Sequence, residues 1–214
     1  MRSLQTGSRR LSSVAAAAVL VALASPAAAS SARRPGGQRA EALIALLKKV
    51  KEDKASPLSV SEAANARVFR EIDRFFDHEA LCARAIAPRA SKLKPAEISA
   101  FRTKFTTLIR LVAYHRSGRF FRDATVALQP ERREGDVLSV PATARAPDSG
   151  EEVTLEFRWA KRAGVLKLVD MVFDGESLLR NYQHQVTRLI DKGGVPEMLQ
   201  TLDDRAAALR KNRA

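Results

Sequence analysis

Between residues 124 and 173 the chain packs four β-rich runs, 124–128, 137–145, 153–159 and 165–173, with little sequence between them. The later connections are Glu134-Gly135-Asp136, Pro147-Asp148-Ser149-Gly150 and Arg162-Ala163-Gly164, all turn-forming. Parallel neighbours need a crossover of about a dozen residues or more, whereas antiparallel ones join through tight turns. These runs are therefore expected to form a four-stranded antiparallel meander. In the third, Val153, Leu155, Phe157 and Trp159 alternate with Thr154, Glu156 and Arg158, so one face is dry. The fourth is apolar on both faces, as expected where apolar material lies beyond the strand.

The sequence before the meander has helical rhythm. Leu43, Ile44, Leu46, Leu47 and Val50 share one face of a first helix, and Val68, Ile72 and Phe75 one face of a second. Asp77 is placed to cap a short third helix that Pro88 ends, and Pro95 suits the first turn of a long fourth. Phe101, Phe105, Leu108, Ile109 and Val112 form the stripe of that fourth helix. After the meander, Leu178, Tyr182, Val186 and Leu189 line one helix, with Asp174 or Ser177 as its cap. Gly193-Gly194 separates it from a last helix carrying Met198, Leu199 and Leu202. The expected fold class is α+β: a four-stranded antiparallel meander with about six helices banked on one face.

The N-terminus reads as a secretory signal. Arg2, Arg9 and Arg10 precede an Ala/Val/Leu run over residues 11–23, and small residues follow to Ala29, where cleavage is expected. That run falls short of the ~20 residues of a membrane-spanning helix. The expected organisation is a signal peptide over 1–29, a disordered leader over 30–39 around Pro35-Gly36-Gly37, and one domain over 40–211. The signal carries three arginines and no acid, so cleavage lowers the net charge from +13 to +10. The basic residues are scattered singly and export removes the chain from nucleic acid, so no nucleic-acid partner is expected. Anionic membrane surfaces or acidic docking partners fit that charge better.

The chain lacks the patterns of covalent chemistry. Cys82 is the only cysteine, and His78, His115 and His184 have no metal-ligand spacing. No G-x-S-x-G, P-loop or dinucleotide fingerprint occurs, and Pro196 removes an amide that a phosphate cradle at Gly193-Gly194 would use. Asp170 is read as a structural hydrogen-bonding or ion-pairing group. No catalytic residue, metal or cofactor is expected.

The segment 166–202 carries the most specific signal: a strand ending at Asp170, then Asp174-Gly175-Glu176-Ser177-Leu178, Asn181-Tyr182, Gln185 and Gly193-Gly194. It resembles the closing segment of the MlaC/toluene-tolerance family, periplasmic phospholipid-binding components of an ABC lipid-transport system. Phe75-Phe76-Asp77-His78-Glu79-Ala80-Leu81 is similar to the family's approach to a short helix. The run from Leu93-Lys94-Pro95 to Phe101 is similar to the start of its long helix. Leu166, Val169 and Val186 stand where the family has Trp, Tyr and Phe, which marks a divergent member.

The resemblance implies an MlaC-like fold of nuclear-transport-factor type enclosing an apolar cavity. It also implies a monomeric periplasmic shuttle for phospholipid, exchanging cargo with an inner-membrane ABC transporter complex and an outer-membrane lipoprotein complex. Exposed methylenes cost about 0.8 kcal/mol each, so two bare acyl chains would cost on the order of 20 kcal/mol. A carrier must cover the tails and leave the charged head in water. The residues expected to line such a slot are Leu108, Val112, Phe157, Trp159, Val169, Met171, Phe173, Leu178, Tyr182 and Val186. The alternatives are a small-molecule enzyme of isomerase or hydratase type, needing an Asp/His or Asp/Tyr pair converging in the cavity, and a lipid-free exported adaptor with a solid core.

Overall fold

The computed structural model describes residues 34–51, 58–146 and 150–211; the expected signal peptide, its cleavage site and the Pro147-Asp148-Ser149 turn lie outside them. Helices α1 (Pro35–Leu47), α2 (Leu58–Asp73) and α3 (His78–Ile86) come first, and a short 3-10 turn (Ala87–Lys92) follows. Asp77 caps α3, its carboxylate accepting the amide of Ala80 at 3.0 Å. Pro95 opens α4 (Pro95–Leu108), and the Glu97 carboxylate takes the Lys94 amide at 2.7 Å. Helix α4 runs through a π-helical turn (Ile109–Tyr114) into α5 (His115–Asp123), so 95–123 is one continuous rod.

The sheet follows, with strands β1 (Thr125–Leu128), β2 (Arg132–Glu134), β3 (Val137–Arg145), β4 (Glu152–Arg162), β5 (Val165–Phe173) and β6 (Glu176–Ser177). It is antiparallel and six-stranded, rather than the expected four. β1 and β2 both pair with β3, at its opposite ends, so they are one edge strand broken around Pro130. Proline has no amide to give a ladder. The two-residue β6 doubles back on β5 at Val172 and Phe173. Helix α6 (Leu178–Lys211) closes the chain and breaks at Gly194, whose φ of 78° with ψ of −179° is a conformation open to glycine alone. The expected count of six helices holds only if the two halves of α6 are counted separately; as continuous rods there are five.

Two local expectations are overturned. Pro35–Arg39 belongs to α1 and is not a leader. Gly36 is buried, its amide donates to Glu131 at 2.9 Å, and a Cβ there would come within 2.8 Å of Leu138. The Arg39 guanidinium lies 4.0 Å from the centre of the Phe75 ring. Of the two caps expected for α6, Ser177 serves and Asp174 does not. Asp174 sits at positive φ and accepts from the Thr154 amide and hydroxyl, which ties the β5–β6 turn to β4. Asp170 and Ser177 share the cap: Asp170 accepts the Leu179 amide at 3.1 Å and the Ser177 hydroxyl at 2.7 Å, and Ser177 accepts the Arg180 amide. Arg158 approaches the same carboxylate at 3.5 Å, in keeping with the structural role expected of Asp170.

The helices bank on the sheet face that carries Leu155, Phe157 and Trp159. Phe157 and Trp159 are wholly buried and stack at 6.5 Å, Phe121 lies against Phe157 at 6.4 Å, and Phe75 against Trp159 at 6.4 Å. This aromatic column makes the middle of the domain solid.

Candidate functional site

Beside that column the helices stand off the sheet. Between β5 and the layer formed by α1, the 95–123 rod and α6 lies a cavity of about 70 Å³, the room open to the centre of a water-sized sphere. One water needs only ~10–15 Å³ by that measure. The walls are Leu43 and Leu47 of α1, Phe76, Leu81 of α3, Phe105, Ile109 and Ala113 of the rod, Leu168 and Met171 of β5, and Leu178 and Leu179 of α6. Tyr114, Ser117, Asp170 and Tyr182 are its polar contributors. The sequence makes a chamber here because the π turn sets Ile109, Ala113 and Tyr114 along the inside of the rod, and Ala113 is too small to reach across.

Tyr114 and Asp170, two of the polar groups at the chamber wall, are already engaged. Asp73 accepts from Tyr114 at 2.8 Å, from Arg110 at 2.6 Å, and faces His78 Nε2 at 3.0 Å. Burial would raise its carboxyl, but the hydrogen bonds from His78, Arg110 and Tyr114 and the Arg110 charge hold it at about 2. Burial, with the neighbouring Asp73 charge, pushes the Tyr114 hydroxyl above its ordinary range. The structure thus brings Asp73, His78 and Tyr114 together, the kind of grouping an enzyme would need. A carboxylate held this low, with three donors on it, is a poor base near neutrality. Its geometry ties α2 and α3 to the π turn. Burial likewise raises the Cys82 thiol to about 11, as suits an inert apolar residue.

A second space opens on the outer side. It measures about 250 Å³ in the same terms and lies between the rod and both halves of α6. Leu108, Val112, Val186, Leu189 and Leu202 make it apolar, while Arg116, Asn181, Gln185, Thr201 and Arg205 give it a polar rim. Phe105, Ile109, Leu178 and Tyr182 line both spaces, and the Phe105 and Tyr182 rings meet edge to face at 5.2 Å. The chamber and groove are therefore neighbours across a wall of side chains.

Of the ten residues expected to line a slot, Met171 faces the chamber, Leu108, Val112 and Val186 face the groove, and Leu178 and Tyr182 face both. Phe157 and Trp159 line neither, because they fill the solid column. Phe173 packs against Phe120 at 6.2 Å, also away from both spaces. Val169 misses through a β-bulge: Arg158 pairs with Asp170 but Trp159 pairs with Leu168, which leaves Val169 as the extra residue. Beyond the bulge Leu168 takes the inward position that strict alternation would give Val169. Sequence reasoning missed Leu43, Leu47, Phe76, Leu81, Ile109 and Ala113. The helical stripes had marked Leu43, Leu47 and Ile109 as inward, but a stripe does not separate a wall from a core.

The chain's relations agree with this geometry. The family model described as MlaC protein matches residues 40–204. No curated protein sequence matches the chain. The fold is similar to that of the phospholipid-binding protein from Ralstonia solanacearum, solved in complex with a phospholipid. The TM-score is 0.66, the identity 23%, and the overlap covers 82% of this chain and 99% of that one. At that identity the likeness carries the fold alone. The match across most of the described domain settles the family: this chain belongs to the MlaC family.

Proposed function

We propose that this protein is a phospholipid carrier that shelters acyl tails in the chamber and the groove and leaves the headgroup at the polar rim. The observation that supports it is an apolar void between sheet and helices, continuous in wall with a second void that opens toward solvent. Membership of the MlaC family and a similar fold in a protein solved with a phospholipid favour the same ligand class. The chamber alone is too small for two full tails, so the groove holds part of the hydrocarbon. Helix ends and side chains at the shared wall are what must move to widen it.

In this reading the protein is a monomeric soluble component of an ABC-type lipid transport system. It works in the periplasm after cleavage of a signal peptide over residues 1–29, and shuttles lipid between an inner-membrane transporter complex and an outer-membrane lipoprotein complex. It performs no covalent chemistry and uses no cofactor. Binding offsets the cost of bare hydrocarbon in water, on the order of 20 kcal/mol for two tails.

Native mass spectrometry of protein purified without detergent tests the proposal. About one phospholipid per chain is the expected result. A lipid-free protein that stays empty when offered vesicles would overturn it in favour of an adaptor, and turnover of small substrates would favour an enzyme.

A further inference from the structure

The outer groove carries charge of one sign only. Its two ionised lining residues are Arg116 on α5 and Arg205 on the second half of α6, and both are exposed. Among the described residues neither has an ion-pair partner, whereas the acids near Arg205 on α6 are engaged elsewhere: Asp203 by Lys104 and Asp204 by Gln200. Burial pushes the Tyr182 hydroxyl up, and the Arg116 and Arg205 charges work against that rise. Asn181, Gln185 and Thr201 add neutral hydrogen-bonding groups on the same rim.

We infer that this groove selects lipids whose phosphate headgroup is net anionic, with Arg116 and Arg205 receiving the phosphate and the rim amides binding its neutral substituent. The inference deepens the carrier reading above and rests on it. Guanidinium groups bind phosphate oxygens well, through paired N–H donors and charge. Any phospholipid supplies the phosphate, but an amine-bearing headgroup also brings a cation. Among the described residues no carboxylate lines the groove to receive that cation, and two guanidinium groups repel it. A headgroup that ends in hydroxyls, or a bare phosphate monoester, meets no such penalty.

The test offers lipid-stripped protein vesicles of equal parts phosphatidylglycerol and phosphatidylethanolamine with matched acyl chains, and reads bound lipid by native mass spectrometry. The wild type is expected to favour the anionic lipid by about tenfold, the equivalent of about 1.4 kcal/mol. The preference should weaken as salt rises, because exposed charges are screened. In Arg116→Gln with Arg205→Gln the ratio should fall to near one, the loss falling on the anionic lipid. Arg188→Gln, which changes an exposed charge outside the groove, should leave the ratio unchanged. A loaded wild type with no class preference, or a double variant that keeps it, overturns the inference alone. Failure to load any lipid overturns the carrier reading and this inference with it. Saturable binding of inorganic phosphate to the stripped protein, without lipid-class preference, would assign the arginines to a soluble anion and overturn the headgroup reading.

Discussion

Replacing Ala113 by leucine separates a ligand chamber from an ordinary core by the sign of its effect. Ala113 is half-buried on the π turn and lines the chamber, opposite Leu168 and Met171 of β5. Leucine adds three carbons. At about 0.8 kcal/mol each, their burial is worth roughly 2.4 kcal/mol. Fixing the larger side chain costs about 0.5–1 kcal/mol. Ala113→Leu should therefore stabilise the lipid-free protein by about 1.5–2 kcal/mol. The same carbons displace an equal length of tail, which weakens lipid binding on the order of 50-fold. In a filled core the added methylenes would instead destabilise by ~1–3 kcal/mol. Urea unfolding of delipidated protein gives the first quantity, and a titration with fluorescent phospholipid gives the second. A destabilised variant with unchanged lipid affinity would refute the reasoning.

Met171→Arg places a charge among the tails and should lower co-purifying lipid more than it lowers the urea midpoint; equal losses would mark Met171 as a core residue. Phe157→Ala, in the solid column, should cost ~3–5 kcal/mol of stability and leave lipid per folded molecule unchanged, as unfolding and native mass spectrometry would together show. The Asp73 carboxyl is depressed from 3.8 to about 2, so its contribution is fully present above pH 3.8 and is lost as pH falls through 2. Allowing for solvent screening, that contribution is about 1–2 kcal/mol. Asp73→Asn should flatten the acid limb of stability by that amount between pH 5 and pH 2, and an unchanged limb would show that the cluster does not hold the π turn.

What was legible in the sequence followed from period and turn chemistry. The short connections compelled an antiparallel sheet, and Asp77 and Pro95 marked helix starts that the structure keeps. The order of motifs through residue 202 carried the family. What stayed hidden involved departures from period. Strand 165–173 is apolar on both faces, so alternation could not reveal a bulge at Val169, and Leu168 went unnoticed as a wall. Phe157 and Trp159 fall on the dry face of their run, yet large aromatics fill a column as readily as they line a slot. Pro35-Gly36-Gly37 has a linker's composition, although the missing side chain of Gly36 is what lets α1 lie against Leu138 and Val140. The Asp73, His78 and Tyr114 grouping joins residues 73–78 to the distant Tyr114 and has no local signature.

The four side chains common to chamber and groove carry a kinetic consequence. In the carrier reading, a hydrocarbon chain that occupies both compartments would cross the wall to which Phe105 and Tyr182 belong, and those rings come from facing helices rather than from one backbone segment. Their parting needs rotation about side-chain bonds, with the sheet and its ladder left undisturbed. If the protein carries lipid as proposed, uptake would then proceed stepwise, one tail segment at a time, without a domain-wide opening that would bare the greasy interior to the aqueous phase.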